Sequence, residues 1–338
     1  MNALVCTKPG LLEYVDKDLP TLKAGHALVE IKNIGICGTD LHAFEGTQPY
    51  FNYPRILGHE LSGVLVDFDQ APGFHKGDAV TFLPYINCGN CIACRNGKTN
   101  CCVSLQVLGI HIDGGMVDYL SVPSRLLVHS EGLTMTELAL IEPLSIGAHG
   151  IRRAGIQSEE FVLVVGAGPI GLGTMAFARV AGAKVIAMDN VVERLEFCQK
   201  TLRVPYTILA NKGELVEQLM ELTKGEMPTV VIDATGNRNA INQGLQYLAH
   251  GGRYILIGLQ KEELVYSHPE FHKREATLMS SRNATRADFD WVIQSIRENK
   301  IQPLAFVSKR VKFADVASGL PGWVKPSGNL IKVIVEKQ

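Results

Sequence analysis

The chain has 338 residues, of which 46% are hydrophobic and 20% charged, and its formal net charge is −1 at pH 7. A nearly neutral chain offers no electrostatic footprint for nucleic acid or anionic lipid, so neither is expected as a partner. The N-terminal segment has no basic stretch followed by an apolar one, and no apolar run approaches the roughly 20 residues that span a bilayer. We therefore expect a cytoplasmic protein, divided at this length into two domains.

The first third of the chain is predicted to form short β-strands. Residues 26–34 and 60–68 carry β-branched or alternating apolar side chains, and Pro-Gly pairs at 9–10 and 72–73 mark turns between such runs. This part is therefore expected to be β-rich.

Four cysteines then follow with the spacing C-x2-C-x2-C-x7-C: Cys88, Cys91, Cys94 and Cys102. Four thiolates in that arrangement can enclose one tetrahedral zinc ion, which makes a structural site with no open position. The surrounding residues 86–104 are loop-like, so the metal would fold this lobe. Two disulfides or a redox C-x-x-C pair are the alternatives, and Cys101 competes with Cys102 for the fourth place.

From about residue 158 the pattern changes to alternating strands and helices. Apolar runs at 161–165, 184–189, 229–235 and 253–259 are separated by helix-like segments. Such alternation predicts right-handed βαβ crossovers and an α/β fold with a doubly wound parallel sheet.

A dinucleotide-binding fingerprint opens this second part, directly after its first strand: Gly166, Gly168, Pro169, Ile170 and Gly171 lie in the sequence G-A-G-P-I-G. The first two glycines allow a tight turn and close approach of a pyrophosphate, and the third allows a helix and a strand to pack. The strand-turn-helix context makes the motif informative, because a bare G-x-G-x-x-G occurs often by chance.

Asp189 closes the next strand, at the place where a carboxylate binds the adenosine ribose hydroxyls and repels a 2′-phosphate. The position favours NAD over NADP, although a helix cap is an alternative role for Asp189. Arg194, five residues later, would either reach a phosphate or remain a solvated helix charge.

Three further segments can supply a second metal site. Cys37 lies in GICGTDLH, His59 and Glu60 lie in ILGHELSG, and Glu142 lies in ALIEPLS. A cysteine, a histidine and a carboxylate with a fourth position for water form the composition of an open catalytic zinc site. Zinc has no redox chemistry, so a nicotinamide that accepts hydride complements it.

Taken in order, CGTDLH, GHE, the four-cysteine lobe, IEPLS and VLVVGAGPIGLG resemble the zinc-dependent medium-chain dehydrogenase family. The resemblance implies a GroES-like catalytic domain formed by residues 1–145 and 285–338, with a Rossmann NAD-binding domain at 146–284. It also implies a homodimer or homotetramer joined through the edge of the Rossmann sheet.

The same resemblance assigns roles to individual residues. It implies Cys37 and His59 as catalytic zinc ligands, with Glu60 ligating the metal or adjacent to it. Glu142 matches a position that is cysteine in simple alcohol dehydrogenases and glutamate in the polyol branch. Thr39 and His42 match the proton relay, for which a turn hydroxyl and a surface histidine are the alternatives. Asp40 is expected to hydrogen-bond His59.

Other positions are expected to contact the cofactor or the substrate. The strand ends at Thr235-Gly236 and Ile257-Gly258 should line the nicotinamide half. Residues 48–60 and 269–285 resemble hexonate 5-dehydrogenases of the L-galactonate type, which oxidise a secondary hydroxyl of a sugar acid. Arg282 would then bind the carboxylate or a vicinal hydroxyl, with a salt bridge to Glu142 or another acidic residue as the alternative. Arg55 is a second candidate, with a domain-packing salt bridge as its alternative, whereas surface roles are expected for Lys273 and Arg274.

The expected function is thus a dehydrogenase of a sugar acid, with one catalytic and one structural zinc ion and NAD. Polyol, L-threonine or butanediol oxidation is the alternative within the same enzyme class. An inactive NAD-binding regulator is the alternative from another class, but every expected ligand and the relay hydroxyl are present in the sequence.

Overall fold

The computed structural model describes residues 1–49, 51–324 and 330–337. The chain forms two compact units, one made of residues 1–142 with 302–338 and the other of residues 143–301. Tyr50, part of the 48–60 stretch, lies outside the described residues. Across these residues, no helix combines the length and the apolar character needed to cross a membrane.

The elements are numbered in chain order. The strands are β1 (Asn2–Lys8), β2 (Leu11–Asp16), β3 (His26–Gly35), β4 (Arg55–Ile56), β5 (Glu60–Phe68), β6 (Ala79–Phe82), β7 (Tyr85–Ile86), β8 (Gln106–Val107), β9 (Tyr119–Pro123), β10 (Leu127–His129), β11 (Phe161–Val165), β12 (Lys184–Asp189), β13 (Tyr206–Leu209), β14 (Val230–Asp233), β15 (Arg253–Leu256), β16 (Thr277–Ser280), β17 (Val307–Lys312) and β18 (Lys332–Glu336). The α-helices are α1 (Gly38–Glu45), α2 (Ile92–Arg95), α3 (Met135–Ala139), α4 (Ile141–Ala154), α5 (Pro169–Val180), α6 (Val192–Lys200), α7 (Leu215–Leu222), α8 (Arg238–Gln243), α9 (His268–Lys273), α10 (Arg286–Arg297) and α11 (Val316–Trp323).

The first unit is β-rich, as its sequence predicts. Its main sheet has the order β10-β6-β5-β3-β18-β17, and β9 pairs with the first half of β3. The end of β3 instead pairs with β18, which comes from the C-terminal part of the chain. Alternating buried and partly exposed residues along β3 are typical of a strand with one face on the core. The N-terminal and C-terminal segments therefore share one sheet.

The second unit contains a six-stranded parallel sheet with the order β13-β12-β11-β14-β15-β16. Strand β11 has the apolar sequence FVLVV, and four of its five residues are buried, as expected for a strand covered on both faces. The strand order reverses between β11 and β14, the position where ligands bind at the carboxyl ends of strands. The predicted doubly wound parallel sheet is confirmed.

Helix α10 belongs to this second unit, whereas residues 285–338 are expected in the catalytic domain from the family resemblance. Its Asp288 lies 2.9 Å from Nδ1 of His149, and the ring of Trp291 contacts that of Phe177 with centroids 4.8 Å apart. These partners lie on α4 and α5, so α10 packs against the Rossmann helices. The chain joins the first unit again only at Gln302.

Candidate active site

Three potential metal ligands come together in the first unit. Cys37 is the N-cap residue of α1, just after β3, while His59 and Glu60 stand at the start of β5. Gly35 at the end of β3 lies opposite Glu60 in the antiparallel β3–β5 ladder, which brings these segments side by side. One donor atom each from Cys37, His59 and Glu60 lies within 4.8 Å of the others.

The chemistry of this cluster fits a zinc ion. Burial alone lowers the pKa of His59, but Cys37, Asp40 and Glu142 raise it well above its usual value. The cluster therefore attracts positive charge, which a divalent cation supplies. Thiolate, imidazole and carboxylate donors are those of an open zinc site.

Asp40 fixes the backbone on both sides of the cluster. Its carboxylate is 1% exposed and accepts hydrogen bonds from the backbone N–H groups of Cys37 (2.9 Å) and Gly58 (3.1 Å). The expected hydrogen bond to His59 is absent, because Oδ1 of Asp40 lies 3.9 Å from Nδ1 of His59. Asp40 thus joins the two segments that carry the ligands instead of orienting the imidazole directly.

Glu60 is held by a buried lysine that the sequence analysis did not identify. Nζ of Lys332, on β18, lies 2.6 Å from both carboxylate oxygens of Glu60 and donates to the carbonyl of Ile36 at 3.1 Å. Burial lowers the pKa of Lys332, but Glu60 and Cys37 raise it above its usual value, so the ammonium stays charged. A Cβ on Gly35 would lie 2.0 Å from Oε2 of Glu60, so only glycine leaves room for this carboxylate.

Glu142 lies in the first turn of α4 and is 4% exposed. It is not part of the three-residue group within 4.8 Å among the described residues. The hydroxyl of Tyr85, on β7, donates a hydrogen bond to its Oε1. Burial raises the pKa of Glu142 to about 7, an effect that His59 opposes and Glu60 reinforces.

The four predicted structural ligands also converge. The sulfurs of Cys88, Cys91, Cys94 and Cys102 lie within 4.8 Å of one another, and none of these residues forms a disulfide. Sγ of Cys91 and Sγ of Cys94 are 3.5 Å apart. Four sulfurs at about 2.3 Å from a zinc ion would be about 3.8 Å apart, so the cluster fits the metal. Cys101 is exposed and outside the group.

Backbone hydrogen bonds in this lobe favour the thiolate form of one of its cysteines. Hydrogen bonds from the backbone of Cys94 and Val103 lower the pKa of Cys91 to about 6. A thiolate at neutral pH is the form that binds zinc. The lobe has the donor set and the electrostatics of a structural zinc site.

In the second unit the glycine fingerprint forms the predicted turn. Gly166 has φ +97°, a left-handed conformation, and Gly168 is the N-cap residue of α5 with Pro169 at its first turn. Ile170 follows Pro169 within that turn. A Cβ on Gly171 would lie 1.8 Å from the carbonyl oxygen of Gly166, so the helix packs this closely only with glycine there. This strand–glycine turn–helix geometry is the one that presents a helix N-terminus to a phosphate group.

Asp189 lies at the end of β12 and is 6% exposed. It accepts hydrogen bonds from the backbone N–H of Ala167 (2.6 Å) and of Val191 (2.8 Å). The guanidinium of Arg194 lies 3.9 Å from Oδ2 of Asp189. The carboxylate therefore ties the glycine turn to the following strand, and Arg194 pairs with it.

Two turns meet at the carboxyl ends of β14 and β15. Thr235 and Gly236 donate their backbone N–H groups to Oδ1 of Asp233, each at 3.1 Å. Ile257 and Gly258 follow β15, and a Cβ on Gly258 would lie 2.1 Å from the backbone nitrogen of Gly236. The two predicted cofactor segments are therefore in contact with each other.

The predicted relay residues lie on α1. Thr39 follows Cys37 by two positions and is half-buried, whereas His42 is exposed. Nδ1 of His42 lies 3.1 Å from Oγ1 of Thr47 and 3.6 Å from Glu45. Thr39 thus shares the first turn of α1 with the site, and His42 faces solvent.

The cationic side chains that are candidates for binding the substrate differ in their surroundings. Arg282 is exposed just after β16. A guanidinium nitrogen of Arg55 lies 3.4 Å from Asp113, so that side chain already has an acidic partner. Lys273 is exposed, whereas half-buried Arg274 pairs with Glu270.

The sequence and fold match known dehydrogenases throughout. The family model "Alcohol dehydrogenase GroES-like domain" matches residues 23–132, and the model "Zinc-binding dehydrogenase" matches residues 169–298. The chain is 42% identical over 336 residues to L-galactonate-5-dehydrogenase of Escherichia coli K12, covering 99% of this chain and 98% of that protein. It is 30% identical to 2-dehydro-3-deoxy-L-galactonate 5-dehydrogenase of Pseudoalteromonas atlantica, covering 88% and 87%.

A solved structure agrees with these matches. The short chain alcohol dehydrogenase rspB of Escherichia coli CFT073, crystallised with NADH, has a TM-score of 0.92 and 30% identity, with 99% of each chain covered. The predicted GroES-like and Rossmann fold classes and the expected family are confirmed. The chain is an oxidoreductase of the zinc-binding alcohol dehydrogenases, the zinc-dependent medium-chain dehydrogenase family.

Proposed function

We propose that this dehydrogenase oxidises a secondary hydroxyl of a hexonate of the L-galactonate type to the keto acid, with NAD as the hydride acceptor. The cluster of half-buried Cys37 with buried His59 and Glu60, and with Glu142 in the same unit, carries the reaction class. The 42% identity to an L-galactonate-5-dehydrogenase along 99% of the chain supports the substrate class.

The residues of the cluster share one task in this reaction, which is to hold a metal ion. A bound zinc ion supplies Lewis acidity that lowers the pKa of an alcohol, and a bound nicotinamide accepts hydride. Cys37, His59 and Glu60 would hold the ion, with Glu142 as an alternative carboxylate. A carboxylate is a harder and more exchangeable ligand than the thiolate of simple alcohol dehydrogenases, which suits a polyhydroxylated substrate.

Proton removal is proposed to use Thr39 and His42. The Thr39 hydroxyl would accept the proton of the substrate hydroxyl and donate its own outward. His42 is exposed and bonded to Thr47, a position from which an imidazole exchanges protons with solvent. Because His42 is close to solvent, its replacement should slow turnover less than replacement of Thr39.

The cofactor segment favours NAD for an electrostatic reason. The buried carboxylate of Asp189 stands beside the glycine turn, where it would accept hydrogen bonds from the ribose hydroxyls and repel a 2′-phosphate. Thr235, Gly236, Ile257 and Gly258 are proposed to line the nicotinamide half.

Recognition of the sugar-acid carboxylate is proposed to involve Arg282. A guanidinium binds a carboxylate through two parallel hydrogen bonds, and Arg282 is exposed. Arg55 is a second candidate, for whose guanidinium a substrate would compete with Asp113.

The test is NADH formation by zinc-replete protein on L-galactonate, L-gulonate, D-altronate, L-idonate, sorbitol, xylitol, L-threonine and 2,3-butanediol. Turnover confined to the hexonates is the expected result. Turnover on polyols or L-threonine alone would contradict the proposed substrate class but not the zinc chemistry. Cys37→Ser should abolish turnover and leave NAD binding intact, and unchanged turnover would exclude the proposed catalytic centre.

We also propose that the protein acts in the cytoplasm as a homodimer or homotetramer. Strand β16 forms one edge of the parallel sheet, and Leu278 on it is exposed, as are nearby Val265 and Tyr266. An uncharged edge strand with apolar neighbours can pair with a second copy. Light scattering after size-exclusion chromatography measures the assembly, and Leu278→Lys should shift it toward monomer.

A further inference from the structure

The Tyr85–Glu142 hydrogen bond links two parts of the first unit that lie far apart in the sequence. Tyr85 and Glu142 are each 4% exposed, and they are separated by 57 positions. A hydrogen bond between a hydroxyl and a carboxylate is stronger where water is excluded, and it limits rotation of the carboxylate. The orientation of Glu142 therefore depends on where β7 places Tyr85.

Strand β7 is part of the base of the four-cysteine lobe. Tyr85 pairs with Val107 in the two-residue ladder β7–β8, and Leu108 donates its backbone N–H to the carbonyl of Pro84 at 3.0 Å. Cys88 comes three residues after Tyr85, and Cys102 comes four residues before Gln106. The lobe is thus the loop that closes this short ladder.

Few apolar contacts hold the tip of that loop, although the guanidinium of Arg125 donates to Oδ1 and to the carbonyl of Asn87 at 3.0 Å each. None of the four residues of α2 is buried, and the lobe leaves Ile92 60% and Val103 76% exposed. A two-stranded hairpin is only marginally stable by itself, and closing a long loop adds an entropic cost. Convergence of the four sulfurs on one metal ion therefore adds to the burial of Tyr85 and Val107 in keeping β7 against β8.

The second carboxylate of the site is held differently. Both oxygens of Glu60 contact Lys332 on β18, in the main sheet of the first unit. Disorder in the lobe would loosen the Tyr85–Glu142 hydrogen bond but leave the Lys332–Glu60 contacts in place. The two carboxylates therefore respond separately to the state of the lobe.

We propose that Tyr85 is a positioning residue through which the four-cysteine lobe orients Glu142, so that metal in the lobe strengthens metal binding at the Cys37–His59–Glu60 cluster. This inference rests on the proposed function, because it assumes that the cluster binds a catalytic ion. According to this inference, the lobe influences metal binding at the reaction centre and does not only fold locally.

The experiment measures metal affinity and not only turnover. The weakly held ion is removed from the purified protein with dipicolinate, and Co²⁺ is titrated back while its visible absorption is recorded. Tyr85→Phe should weaken Co²⁺ binding by about 10- to 100-fold, the usual cost of losing an outer hydrogen-bond partner of a metal site, and alter the absorption bands. Tyr254→Phe is the matched control, since Tyr254 is also 4% exposed and its hydroxyl donates to the carbonyl of Ile241 at 2.8 Å. Its Co²⁺ affinity should equal that of the wild type.

A double-mutant cycle tests the link to the lobe. Cys91→Ser should also weaken Co²⁺ binding at the cluster, but should add little once Tyr85 is phenylalanine, because both changes act through one contact. Unchanged affinity in Tyr85→Phe, or fully additive losses in the double variant, would overturn the inference while leaving the proposed function intact. If the wild type binds no second metal ion, the proposed function fails, and the inference fails with it.

Discussion

At the residue scale, the buried Lys332–Glu60 pair is the feature of the site with the clearest energetic consequence. Lys332→Met would leave the carboxylate of Glu60, which is 0% exposed, without its counter-charge. Breaking such a pair typically costs about 3–5 kcal/mol of unfolding free energy. Urea-induced unfolding of the zinc-free protein measures the loss. The double variant Lys332→Met/Glu60→Gln should recover part of it, and an equal loss in both variants would contradict the charge argument.

Asp189 allows a second test on a single residue. Asp189→Asn removes the negative charge and keeps one acceptor oxygen, so only one of the two backbone N–H groups, of Ala167 or of Val191, retains its hydrogen bond. The ratio of kcat/KM for NAD to that for NADP should therefore fall, chiefly because the 2′-phosphate is no longer repelled. Steady-state kinetics with both cofactors measure the ratio. Glu193→Gln, the same type of change on nearby α6, should leave it unaltered.

Sequence alone identifies the residues of the site that lie in short motifs. The four lobe cysteines and the glycine turn are recognisable because a few neighbouring residues specify the whole arrangement. Tyr85 and Lys332 are not recognisable, since their partners are 57 and 272 positions away and only the fold brings them together. For Lys332 the sequence contains one weak indication of a buried role, because this lysine lies within the otherwise apolar run of the final strand. For Tyr85 the sequence contains no such indication.

At the scale of elements, charged side chains at the N-terminus of α10 and on α4 interact with one another. Asp288 forms a capping box with Thr285, and its carboxylate contacts His149 at 2.9 Å and Nε of Arg152 at 2.9 Å. These interactions join α10 to α4. Sequence reasoning could identify the helix but not its partners, since an amphipathic helix fits either of two cores.

The network predicts a dependence of stability on pH. Burial raises the pKa of Asp288, but hydrogen bonds from His149 and Thr285 outweigh it and lower the pKa below the usual 3.8. The stabilisation is therefore present above pH 3.8 and lost as pH falls through the lowered value. Asp288→Asn should cost about 2 kcal/mol of unfolding free energy at pH 7, the loss of hydrogen bonds to a charged group.

The measurement is urea-induced unfolding of wild type and Asp288→Asn between pH 7 and pH 3. The difference between them should shrink as pH falls below 3.8. Asp290→Asn, the same change at an exposed position of α10, serves as the control. A difference that stays constant across this range would show that the carboxylate contributes no charge-dependent stability.

At the scale of the whole molecule, the two units have separate cores and bind different ligands. Both predicted zinc sites lie in the unit formed by residues 1–142 and 302–338, whereas the glycine turn lies in residues 143–301. A ligand stabilises only the folded unit that binds it, by about 2.7 kcal/mol at a concentration 100 times its Kd. Zinc and NAD should therefore raise the melting temperatures of different units.

The two tryptophans of the chain make this prediction measurable, because there is one in each unit. Trp323 of α11 is 7% exposed in the first unit, and Trp291 of α10 packs against Phe177 in the second. In Trp291→Phe, the remaining fluorescence should report unfolding that zinc shifts to higher temperature and NAD leaves unchanged. In Trp323→Phe the ligand responses should be reversed. If both variants respond equally to both ligands, the units unfold as one cooperative body, and binding in either unit stabilises the whole chain.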